Sequence, residues 1–156
     1  MAHNCNTSGL NLDPLSLWRF TRLRKNATPV RLLVWTNDNV ELLARQNIFL
    51  EIFVAEENTN FIDPRIPNLK VVWKASYQDT KLYELFGSVD YILCDKADRE
   101  TWLAAMLCGA TPLYSMADIE NVVKNNSAPT VVDRIENWEK AESLLTSTTM
   151  SGITEL

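Results

Sequence analysis

The stretch 90-DYILCDKADRETWLAAMLCGATPLYS-115 decides the fold. It opens on a short apolar run, DYILC, and passes through a charged loop, DKAD. An apolar block with helical character follows, DRETWLAAMLC, and stops at Gly109. Glycine suits that place because the residue just past a helix end often takes a left-handed conformation, which costs glycine little. TPLYS (111–115) then reads as another strand. Strand, helix and strand in this order form one βαβ unit. Strands without polar alternation belong to a sheet covered on both faces, and helical crossovers make that sheet parallel.

The same rhythm extends in both directions. VRLLVW (30–35), IFLEIFVA (48–55) and LKVVWKA (69–75) read as three earlier strands, and PTVV (129–132) as a sixth. VELLARQ (40–46), QDTKLYELFG (78–87), MADIENVVKNN (116–126) and DRIENWEKAESLLTS (133–147) have helical spacing. Gly87 is expected at the C′ position of its helix. Asp13-Pro14 marks the start of a further helix running to about Lys25, with an N-cap residue followed by proline at N1. The expected fold is therefore a single Rossmann-like three-layer α/β/α domain, residues 29–147, with a mostly parallel sheet of about six strands. A lead-in with a short basic helix (1–28) precedes it and a polar tail (148–156) follows.

With 156 residues, 46% of them hydrophobic and 22% charged, the chain can bury a real core. Its formal net charge of −5 argues against a dedicated nucleic-acid binder. The one basic cluster, Arg19, Arg22, Arg24, Lys25 and Arg31, reads as the solvated flank of a docked helix, or else as a contact for an anion or a partner. Three cysteines without a C-x-x-C pair and a single histidine, His3, give no basis for a metal site. The apolar settings of Cys94 and Cys108 suggest reduced, buried thiols and a cytoplasmic location. No apolar run is long enough to span a membrane. The absence of any histidine from the body of the chain leaves its serines without a general base. No cofactor is expected.

In a doubly wound sheet the ligand crevice lies beyond the carboxyl ends of the strands, where strand order reverses. Three loops would meet there: TNDN (36–39), ASY (75–77) and DKAD (95–98). The last of these feeds a helix N-terminus, a natural place for a phosphate. Asp95, Asp98 and Glu100 crowd that helix start and would repel a diphosphate. Trp35, Trp73 and Trp102 fall near the crevice and could stack a base or pack in the core.

From Asn68 to about Leu145 the order of signals resembles the C-terminal, donor-binding half of GT-B glycosyltransferases of the family 4 type. The resemblance rests on NLKVVWKASYQDTKLYELFGSVDYILCD (68–95), RETWLAAMLCGATPLYSMADIENVV (99–123) and TVVDRIENWEKAESLL (130–145). Its matching residues are Glu100, Thr101, Ala105, Met106, Cys108, Gly109 and Pro112. It implies nucleotide-sugar binding near Asn37, Ser76, Lys96, Glu100 and Thr101. That family holds its donor with two glutamates eight positions apart. Here the second position is Ala104, and Lys96 stands eight residues before it. The family's basic pair after the first strand is replaced by TNDNVELL (36–43).

The expected function is thus a degenerate, glycosyltransferase-like pseudoenzyme domain. It has no catalytic residue and serves protein interaction or assembly, with a protein partner or another copy of itself. The alternative is a nucleotide-sugar-binding subunit of a split glycosyltransferase, so that any activity would be glycosyl transfer.

Overall fold

The computed structural model describes residues 12–23, 29–35, 40–56, 65–73, 80–125 and 128–155. Side chains of residues 56, 73 and 147–155 are outside that description. In chain order the elements are α1 (Pro14–Trp18), β1 (Val30–Val34), α2 (Val40–Gln46), β2 (Leu50–Glu56), β3 (Leu69–Trp73), α3 (Thr80–Ser88), β4 (Tyr91–Leu93), α4 (Arg99–Leu107), β5 (Thr111–Leu113), α5 (Met116–Asn125) and α6 (Val131–Glu155).

The strands form one parallel sheet in the order β3-β2-β1-β4-β5. Each face of that sheet carries its own core. Leu33, Trp35, Ala55, Val72, Ile92 and Cys94 point to the face covered by α3, α4 and α6. Leu32, Val34, Ile52, Val54, Leu69 and Leu93 point to the other face, against Leu43 and Ala44 of α2 and Ile119 of α5. Strands buried on both sides need apolar residues at every position, which is why these lack polar alternation. The fold is a Rossmann-like α/β domain.

The described sheet has five strands where about six are expected. PTVV (129–132) is not a strand but the entry to α6. Pro129 has no N–H to give a ladder. Thr130 and Asp133 cap the helix reciprocally: the Thr130 N–H donates to Asp133 Oδ2 at 2.8 Å, and the Asp133 N–H donates to Thr130 Oγ1 at 3.1 Å. α6 also runs to Glu155, beyond the expected end near Ser147.

Gly109 sits where the sequence placed it, at φ 91°. Its N–H reaches the Met106 carbonyl at 2.9 Å, and that of Ala110 reaches the Ala105 carbonyl at 2.9 Å. This is a Schellman closure of α4. Gly87 has a different role from the one expected. It lies inside α3, not beyond its end. A Cβ there would stand 1.9 Å from the Phe20 carbonyl oxygen, so glycine is required by a chain crossing.

That crossing belongs to residues 12–23, which lie as a strap over the α3/α4/α6 face. α1 stops at Trp18, well short of Lys25. Beyond it the Arg22 N–H donates to the Gly87 carbonyl at 3.0 Å, and the Thr21 hydroxyl to the Cys108 carbonyl at 2.8 Å. Leu17 is 1% exposed and joins the core. The Trp138 indole N–H donates to the Pro14 carbonyl at 2.8 Å, and its ring meets Trp18 edge to face at 6.4 Å. The described part of the lead-in is therefore integral to the domain core.

Below the sheet, at the strands' amino ends, Asp90 and Arg134 form a buried ion pair at 2.5 Å. Asp90 also accepts the Arg31 N–H at 2.8 Å, and Arg134 donates to the Gly109 carbonyl at 3.3 Å. The pair thereby ties α6 to β1, β4 and the α4 turn.

Candidate functional site

Strand order reverses between β1 and β4, so the crevice opens above the junction where the Trp35 N–H meets the Leu93 carbonyl at 2.8 Å. Of the three loops assigned to it, those holding Asn37 and Ser76 lie outside the described residues. The β4–α4 loop and the first turn of α4 form the described wall, and they carry Lys96, Glu100 and Thr101.

This loop is shaped by its own carboxylates. Asp95 Oδ1 accepts the Ala97 N–H at 2.9 Å, an Asx turn. Asp98 holds the N-cap position of α4, but its side chain caps no backbone N–H. Instead its Oδ2 accepts the Thr101 hydroxyl at 2.8 Å. Thr101 is fully buried, which removes it from contact with any ligand in the crevice. Glu100 is half-buried in the first turn of α4, and its Oε2 atom is buried without a hydrogen-bond partner.

Two cations of the loop rest on aromatic rings. The Lys96 ammonium lies 5.6 Å from the centre of the Tyr114 ring, and the Arg99 guanidinium 5.5 Å from that of Trp102. The two rings meet edge to face at 5.9 Å, and the Trp102 indole N–H donates to the Lys96 carbonyl at 2.9 Å. The tryptophan question is settled for two of the three: Trp35 and Trp102 are buried in the core, Trp35 against Phe86. The side chain of Trp73 lies outside the described residues. Nothing in the sequence marks Tyr114 for this place. An aromatic just past a short strand carries no signal until the fold sets it against the neighbouring loop.

The thiols are poor nucleophiles. Burial, and then the charges of Asp98 and Asp95, push the Cys94 thiol up to about 12. Burial alone pushes Cys108 further up. Burial, Cys94 and Asp118 raise the Tyr114 hydroxyl to about 12. All three groups stay protonated at neutral pH. Both cysteines are free and buried, as their apolar settings suggested. Among the described residues no cluster of His, Cys, Asp and Glu could hold a metal, and no helix is long and apolar enough to cross a membrane. Neither models of known protein families nor characterised proteins give a match to this chain.

Proposed function

We propose that this chain is a glycosyltransferase-like domain that keeps the scaffold without the chemistry and acts by binding a protein partner or a second copy of itself. One observation supports this most. Apart from Glu100, the polar groups of the β4–α4 wall are engaged within the domain: Asp98 with Thr101, Asp95 with its own turn, and Lys96 and Arg99 with aromatic rings. A donor site needs such groups aimed at a diphosphate and a sugar. Apolar surface stands at the other end of the domain. Val131, Val132 and Ile135 are exposed on α6, and exposed Leu23 lines a cavity of about 250 Å³ together with Val131. Clustered apolar side chains in contact with solvent mark an interaction surface.

The test combines light scattering with a thermal-shift panel of uridine, guanosine and adenosine diphosphates and their sugar conjugates. The proposal expects either a mass above that of the monomer or capture of a partner protein by the immobilised chain, whichever occurs being weakened by Val132→Glu with Ile135→Glu, and no nucleotide shift. A lasting monomer that recovers no partner refutes it.

The nucleotide-sugar-binding reading is favoured by Glu100 alone, whose buried oxygen lacks a donor and could accept one from a ligand. On that reading a nucleotide at about a hundred times its dissociation constant adds about 2.7 kcal/mol, or about 5–10 °C. Glu100→Ala would abolish that shift.

A further inference from the structure

A second concavity lies on the α3 side of the sheet, away from the β1/β4 crevice. Its volume of about 590 Å³ falls within the range of small-molecule sites, about 300–1,000 Å³. The floor is apolar, made by Phe53 of β2, Val72 of β3 and Leu85 of α3. The rim is charged, with Arg22 from the strap and Lys81 and Glu84 from α3. Strand register adds a third cation. Lys70 stands opposite Phe53, and its ammonium lies 5.7 Å from the centre of the Phe53 ring.

Two cations and one carboxylate thus line the concavity, with Lys70 beside it on Phe53, on a chain whose net charge is −5. The side chains of Arg22 and Lys81 have no hydrogen-bond or ion-pair partner among the described residues, whereas nearby Arg31 is engaged with Glu51 at 3.3 Å and with the Ser88 carbonyl. Arg22 is also placed, not simply present. Its N–H is fixed on the Gly87 carbonyl, and that contact exists because Gly87 lets the Phe20 carbonyl pass. The strap thus brings a guanidinium to the rim of a concavity whose floor comes from two strands and a helix later in the chain.

We propose that this concavity binds a small anionic aromatic molecule, with a flat apolar body over Phe53, Val72 and Leu85 and a phosphate or carboxylate held by Arg22 and Lys81. An inorganic anion would leave the apolar floor wet, and a neutral aromatic would leave the cations unopposed. An extended polyanion is disfavoured by the acidity of the whole domain.

Calorimetric titration of the full chain tests this with phenyl phosphate, benzoate, inorganic phosphate and benzyl alcohol as probes. The expected result is saturable one-to-one binding of phenyl phosphate or benzoate, at least about tenfold tighter than inorganic phosphate or benzyl alcohol. The tighter of the two aromatic anions identifies the head group. Arg22→Glu and Lys81→Glu, both at exposed positions, should each weaken that binding by at least about tenfold with an unchanged melting temperature. The proposal is overturned if neither aromatic anion binds, if a control binds as well as they do, or if both charge reversals leave the affinity unaltered.

Discussion

Replacing Gly87 with alanine separates the docking of the strap from every other contribution to stability. Gly87 lies inside α3, where alanine is intrinsically the better residue by about 0.8–1 kcal/mol. Local propensity therefore predicts a more stable protein, and the crossing predicts the opposite. The new Cβ would stand 1.9 Å from the Phe20 carbonyl oxygen and 2.5 Å from its carbon, both backbone atoms. Reaching ordinary contact requires the strap to retreat by about 1.5 Å. A retreat of that size breaks the bond from Arg22 to Gly87 and strains the one from Thr21 to Cys108, at about 0.5–1.5 kcal/mol each. It also begins to lift Leu17, whose burial is worth about 1.5–3 kcal/mol. With the helix gain and the freed chain entropy subtracted, the expected loss is about 2–4 kcal/mol. That corresponds to a melting temperature lower by about 5–15 °C for a chain of this length. Circular dichroism would measure it, and trypsin would report locally by cutting faster at Arg19 and Arg22. A Gly87→Ala protein as stable as the parent, with the strap equally protected, would refute the crossing.

Other substitutions probe separate links. Asp90→Asn leaves the Arg134 charge buried without its counter-ion and should cost about 3–5 kcal/mol in urea unfolding, whereas replacing both residues with apolar ones of similar volume should cost far less. Thr130→Ala should lower stability by about 1 kcal/mol in the same assay, because it removes a helix cap; a residue in an edge strand would show no such dependence on its hydroxyl. The protonated thiols predict alkaline lability. The folded state keeps the Cys94 proton to about pH 12, whereas the unfolded chain releases it near 9.0. Stability should therefore fall as pH rises through that window, with a slope of about 1.4 kcal/mol per pH unit for each thiol. Cys94→Ala with Cys108→Ala should flatten that slope in denaturation curves taken between pH 8 and 11.

The sequence by itself determined the alternation of strands and helices, the parallel sheet and the closure of α4 at Gly109. These follow from local rules: apolar runs of strand length, helical spacing, and a glycine where the backbone turns left-handed. Even there a local rule misled at PTVV, because a β-branched run after proline has the composition of a strand, and only the reciprocal Thr130–Asp133 bonds make it a helix entry. The candidate site was legible only as a place. The order of elements pointed to the β4–α4 wall that carries Lys96, Glu100 and Thr101, but nothing local told that Thr101 would be buried on Asp98 or that Tyr114 would lie beneath Lys96. Tertiary structure alone decided the Asp90–Arg134 pair, the true reason for Gly87, and the cavity that joins Arg22 to Phe53. Each joins residues far apart in the chain, and their meeting depends on how the strap and α6 pack across the sheet. A residue's neighbours along the chain carry no record of that packing.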